Sequence, residues 1–157
     1  MILGALDQTD IDILNILQSD AAMAGKDIAK LVNKSTASVH ERIRRLRTEG
    51  YIDKIVAIVN KGKVHKRIMA FSQVLLHDHT DITLLNFQQA VVKYPEVLEC
   101  HQMAGNYDFL LKIVTTDIDT YHKFYLEKLS KLPNIVTVQS LFVLSEAKNE
   151  TSIHLQL

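Results

Sequence analysis

The sequence carries a single cysteine, Cys100, and two prolines, Pro95 and Pro133. One cysteine excludes an intramolecular disulfide and cannot build a thiolate-rich metal site alone. No apolar run approaches the roughly 18 residues of a membrane span. The apolar start at residues 1–4 is too short for a signal peptide, so a cytoplasmic chain without a membrane partner is expected. A phosphate-binding glycine loop and a clustered acid–base pair are both missing, which weighs against an enzyme.

What is present is an ordinary folded composition: 157 residues, 47% of them hydrophobic and 23% charged. The net charge of zero hides a division near residue 67. Residues 1–67 hold 12 Lys/Arg against 8 Asp/Glu, net +4, and residues 68–157 hold 6 against 10, net −4. Within the first part, residues 25–67 hold 12 bases and 4 acids, net +8, whereas residues 1–24 hold four Asp and no base. A basic block beside an acidic domain suggests a polyanionic partner for one end of the chain, or simply a solvated basic surface.

The run Leu6-Asp7-Gln8-Thr9-Asp10-Ile11 reads as a helix start, with Asp7 as cap and Leu6 stapled to Ile11. Apolar residues then recur at Ile11, Leu14 and Leu17. Residues 26–32 form a short second helix. Asn33 suits a left-handed joint and Ser35 caps a third helix, 36–49, that buries Val39, Ile43 and Leu46. At 100° per residue the opposite face shows Ala37, Ser38, Glu41, Arg44, Arg45 and Thr48. Arg42 lies about 60° from the buried stripe, placed equally well for a phosphate or for an acid of the first two helices. Gly50 ends the helix, and residues 51–59 alternate like a strand or wing. Three helices with a tight turn before a basic third one make a helix-turn-helix of the winged type, sized for the major groove of double-stranded DNA.

Residues 61–67 lack an apolar period and read as a linker between domains 1–60 and 68–157. After them the period changes. Residues 68–77 read as a strand that is apolar on both faces, and 80–94 as a helix stopped by Pro95. Residues 97–104 and 107–115 read as strands joined by a tight turn at Gly105-Asn106. A second helix (117–131), a strand (135–144) and a short edge strand (152–157) complete the set. The order βαββαβ is ferredoxin-like, so the fold class is α+β: a helix-turn-helix followed by a ferredoxin-like domain. Both helices would cover one sheet face. The apolar second face of the first strand then calls for a second copy of the chain, hence a homodimer.

Ser35 to Leu46 followed by Gly50-Tyr51-Ile52, and Leu6-Asp7 with Asp10, resemble the DNA-reading domain of the Lrp/AsnC family of feast/famine regulators. Glu99-Cys100-His101 and Gly105-Asn106-Tyr107-Asp108-Phe109-Leu110-Leu111 resemble that family's ligand-sensing (RAM) core. The resemblance covers almost the whole chain. It implies a nucleoid-associated transcription regulator, a dimer that assembles further to an octamer, and an amino-acid effector but no cofactor. It also implies DNA contacts from Ser35, Thr36, Ala37, Ser38, Glu41, Arg42, Arg44 and Arg45. The implied effector pocket holds Met103, Gly105, Asn106, Asp108 and Ser140. Hairpin amides suit a carboxylate and Asp108 an ammonium group; alternatively Asn106 serves only the turn and Asp108 only caps backbone. Three departures stand out. Ala24 occupies a helix-cap position usually held by Ser or Thr, Lys34 replaces an apolar turn residue, and Val138-Gln139-Ser140-Leu141 departs from a Thr-rich run.

Two rival functions remain open at this level. Some proteins resembling the family decarboxylate sirohaem, and this chain has histidines at 65, 77, 79, 101, 122 and 154 besides His40. A basic recognition helix would be idle in such an enzyme. The second rival is an amino-acid-binding regulatory subunit of another protein, with the helix-turn-helix as a docking module.

Overall fold

The computed structural model describes residues 6–156 and divides into two compact units. One contains the residues up to Ile58 together with those from Lys148 onward; the other is Val59–Ala147. The segment after Lys148 therefore belongs with the helical unit and not with the sheet. The start at residues 1–4 lies outside the described residues.

In the helical unit, α1 (Gln8–Ser19) opens with a reciprocal cap: Asp7 accepts from the Asp10 N–H and Asp10 accepts from the Asp7 N–H. Helix α2 (Gly25–Leu31) starts at Ala24 without a side-chain cap. It closes with Asn33 at φ 52°, where the N–H of Lys34 reaches the carbonyl of Ala29. Helix α3 (Thr36–Thr48) is capped by Ser35, whose side chain accepts from Ser38. Its C-terminus uses the same closing motif. Gly50 at φ 80° lets the Tyr51 N–H bond to Leu46 and the Gly50 N–H bond to Arg47. Leu6, Ile11, Ile13, Leu14, Ile28, Ala29, Val39 and Leu46 form the core.

Residues 51–59 form no strand, contrary to their alternation. Ile52 packs on the helical core, but Val56 and Ile58 are exposed, the latter at 76%, and no strand among the described residues pairs with the segment. Alternation alone does not make a strand when no second strand accepts its hydrogen bonds. Residues 60–66 form a hydrogen-bonded turn: Lys63 and Val64 donate to the Asn60 carbonyl, and Lys66 to that of Lys61. Residues 152–156 form no edge strand either; Leu157 lies outside the described residues.

The second unit is ferredoxin-like, with β1 (Ile68–Leu76), α4 (Asp81–Val91), β2 (Val97–Gln102), β3 (Phe109–Thr115), α5 (Ile118–Glu127) and β4 (Ile135–Phe142). The antiparallel sheet runs β2-β3-β1-β4. Period-two alternation sends Ala70, Val74 and Leu76 of β1, with Phe109, Leu111 and Ile113 of β3, against Phe87, Val91, Tyr121 and Phe124 of the helices. On the open face Phe71 stands between Lys112 and Leu141, and Gln73 between Leu110 and Gln139. That face mixes apolar and polar residues, less uniformly apolar than β1 alone implies. The β2–β3 connection is also wider than a two-residue turn. It closes through the Met103 N–H and the Asp108 carbonyl at 2.7 Å, with Gly105 at φ 146° inside it.

Candidate nucleic-acid interface and ligand loop

Helix α3 is held to α1 by charge as well as by its apolar stripe. The Asp10 carboxylate is 1% exposed, although it sits in the first turn of α1. Arg42 Nη1 donates to Asp10 Oδ1 at 2.7 Å and to Asp7 Oδ2 at 2.8 Å, while Arg45 Nη2 donates to Asp10 Oδ2 at 2.5 Å. Burial pushes the Asp10 carboxyl upward. The hydrogen bonds from Arg42, the Asp7 backbone and Arg45 outweigh it and hold the pKa below its usual value. Arg42 is thus a structural salt bridge, one of the two roles its angular position allows. Arg45 shares that role, which its position nearer the outer face had hidden.

The rest of the outer face is open. Ser35, Thr36, Ala37, Glu41, Arg44 and Thr48 are exposed, and Ser38 partly so. Arg44 pairs with Glu41 at 2.6 Å, both of them largely solvated. Such a surface pair is weak, so Arg44 stays available to another anion. Small side chains near the helix N-terminus leave room for base edges, and the rigid mount keeps α3 in one orientation.

In the second unit, Met103, Gly105 and Asn106 are exposed on the β2–β3 loop and Asp108 is partly buried at its foot. Asp108 Oδ2 accepts the Leu76 N–H at 2.7 Å, and Oδ1 lies 3.1 Å from His79 Nε2. This carboxylate anchors the loop to the end of β1 and also faces His79, a histidine that the sequence counted without linking it to Asp108. Ser140 is not on the loop. It sits on β4, beyond β1, and its hydroxyl is within hydrogen-bond reach of Ser72 and Tyr121 in the sheet–helix core. The histidines do not gather: no group of three or more His, Cys, Asp or Glu among the described residues is arranged to hold a metal ion.

Residues 69–153 match the family model described as the Lrp/AsnC ligand binding domain, and residues 6–53 match a winged helix-turn-helix DNA-binding domain. The chain belongs to the Lrp/AsnC family of transcriptional regulators. A proline dehydrogenase transcriptional activator of Rhizobium radiobacter is 38% identical over 148 residues, 94% of each chain. The leucine-responsive regulatory protein of Escherichia coli K12 is 31% identical over 148 residues, 94% of this chain and 90% of its own. Among solved structures, an AsnC family regulator from Agrobacterium tumefaciens matches with a TM-score of 0.90 and 34% identity, covering 94% of this chain and 96% of that one. A Neisseria meningitidis regulator in complex with L-Met matches with a TM-score of 0.90 and 31% identity over the same shares. For this Lrp/AsnC chain the DNA-binding and ligand-binding domains are therefore those of a transcriptional regulator. No helix among the described residues is long and apolar enough to cross a membrane.

Proposed function

We propose that this Lrp/AsnC regulator reads duplex DNA with the outer face of α3, as a homodimer that assembles further, and answers to a free amino acid at the β2–β3 loop. The observation that carries the DNA reading is the division of labour along α3. Arg42 and Arg45 are bound to Asp10 and fix the helix, while Ala37, Glu41, Arg44 and Thr48 remain free to face a groove. Ser35, Thr36 and Ser38 at the N-terminus serve close approach to backbone and bases.

The amino-acid effector is supported by the L-Met bound to the Neisseria relative and by the chemistry of the loop. Amides around Gly105 and Asn106 suit a carboxylate. Asp108 Oδ1, which faces His79, suits an ammonium that takes the histidine's place. Met103 meets the ligand side chain, favouring an aliphatic or amide ligand. Ser140 contributes indirectly, through β4. The partly apolar open face of the sheet, with Phe71 and Leu141, is the surface for a second copy. The reading includes no catalysis, no cofactor and a cytoplasmic, nucleoid-associated location.

A thermal-shift screen of the free amino acids tests the effector reading, because a ligand that binds only the folded state raises the melting temperature. A rise with an aliphatic or amide amino acid supports it. No shift with any amino acid makes this a regulator without such an effector.

A further inference from the structure

The two flanks of α3 are unlike. On the flank toward the start of α1, the arginines are consumed by Asp7 and Asp10. The other flank, where α3 faces the end of α1 and the start of α2, carries His40, Arg44 and Arg47, spaced by four and three residues so that all lie along one side of the helix. Arg47 has no ion pair among the described residues, and Arg44 has only its solvated partner Glu41. The acid on the neighbouring helix, Asp27, pairs with Lys30 at 3.0 Å and not with these arginines. The three basic residues rim an open hollow of about 530 Å³ whose floor includes Leu17, Met23, Ile28 and Ile43.

Gly25 shapes this hollow. A Cβ at position 25 would stand 2.2 Å from His40 Nε2, so the imidazole rests in space that any side chain there would fill. Packed against the start of α2, the ring is kept at the rim. The rim is positive, the floor is apolar, and Arg44 joins the hollow to the outer face of α3. A DNA backbone has the matching composition: phosphate oxygens for the two guanidinium groups and the imidazole, and deoxyribose carbons for the apolar floor. Phosphate contacts of this kind set register and orientation without reading sequence.

We propose that His40, Arg44 and Arg47, over Leu17 and Met23, form a seat for one DNA backbone segment, and that Gly25 exists to hold His40 in it. The seat rests on the reading of α3 as the DNA reader and adds the contact that fixes how the helix is presented to the groove. His40 and Arg47 are positioning residues of that interface, and neither reads a base.

Fluorescence anisotropy with the full chain tests this, using a labelled duplex that carries a selected site and a scrambled duplex, over a series of KCl concentrations. Arg47→Gln is expected to make the slope of log Kd against log salt shallower by about one per subunit on both duplexes, leaving the ratio of the two affinities unchanged. His40→Ala is expected to weaken binding about tenfold on both, the size of one hydrogen bond to a charged group. Gly25→Ala, which displaces His40, is expected to match it, and the double variant to be no weaker than either. Thermal unfolding checks that each variant is folded. An unchanged salt slope in Arg47→Gln, or additive losses for Gly25→Ala and His40→Ala, overturns the seat while leaving α3 as reader. Absence of salt-dependent binding to any duplex by the unaltered chain overturns both.

Discussion

Arg42 Nη1 lies 2.7 Å from Asp10 Oδ1, and this single contact joins α3 to a carboxylate that α1 buries to 1% exposure. Asp10 has three roles at once: it closes the cap of α1, it accepts from Arg42, and it accepts from Arg45. The orientation of α3 therefore depends on an acid that never faces DNA.

Replacing Asp10 by Asn removes the buried charge and leaves two guanidinium groups without it. Both guanidinium groups are partly solvated and Arg42 keeps Asp7, so the expected cost is roughly tenfold in a local opening equilibrium, about 1.4 kcal/mol. Amide hydrogen exchange in α1 and α3 of Asp10→Asn is expected to accelerate by that factor, with the sheet unit unaffected. Unchanged protection would mean that the apolar stripe alone mounts α3.

The same carboxylate sets an acid limit. Its folded pKa lies below the usual value, so its contribution to stability is present above the unfolded pKa of about 4 and is lost as pH falls through the folded value. Urea unfolding of the unaltered chain is expected to weaken more between pH 5 and pH 2.5 than that of Asp10→Asn. Equal acid sensitivity in the two chains would remove Asp10 as the cause.

Arg44 and Arg45 separate on the structure although the sequence treats them alike. Arg44→Ala removes a solvated cation and is expected to flatten the salt dependence of DNA binding by about one contact per subunit, with stability unchanged. Arg45→Ala is expected to lower stability as well, because it strips Asp10 of a partner. Anisotropy and thermal unfolding of both variants decide this, and identical behaviour would contradict it.

On the open sheet face, Phe71→Asp sets a carboxylate opposite Lys112. Lys112 is already paired with Glu99, but position 71 is only partly buried in the single chain, so the variant is expected to stay folded and to lose assembly, where the added carboxylate would be taken out of water. Sedimentation at micromolar concentration reads the difference. An unaltered chain that sediments as a monomer would contradict the proposed dimer.

Asp108→Ala is expected to abolish the response to the best amino acid from the screen while keeping basal DNA binding. His79→Gln retains the carboxylate and is expected to keep the response. Calorimetry on the three proteins separates a ligand role for Asp108 from its bond to the Leu76 N–H. Equal ligand affinity in Asp108→Ala and the unaltered chain would leave Asp108 as a loop anchor only.

Much of this was legible in the sequence where the signal is local. Asp7, Asn33, Ser35 and Gly50 mark helix ends through their own backbone and side-chain chemistry, and each stands where that chemistry places it. The βαββαβ order followed from changes of period and from Pro95 and Pro133. What was not legible depends on residues distant in sequence. Residues 51–59 alternate but have no partner strand. Asn15 and Gln18 hydrogen-bond the backbone at Leu155 and Ile153, across more than 130 positions. His40 needs Gly25, and His79 needs Asp108, with no pattern linking either pair in the chain. Asp10 was the one distant partner within reach, since an acid in a helix facing Arg42 was one of the two roles already open.

The most direct measurement is footprinting of DNA fragments selected from a random pool by the full chain, repeated with Arg44→Ala. Protected half-sites related by a pseudo-dyad, centred about 10 bp or a multiple of it apart, are expected, with protection weakened by Arg44→Ala. A pool that yields no preferred sequence, or footprints identical for both proteins at every salt concentration, would contradict it.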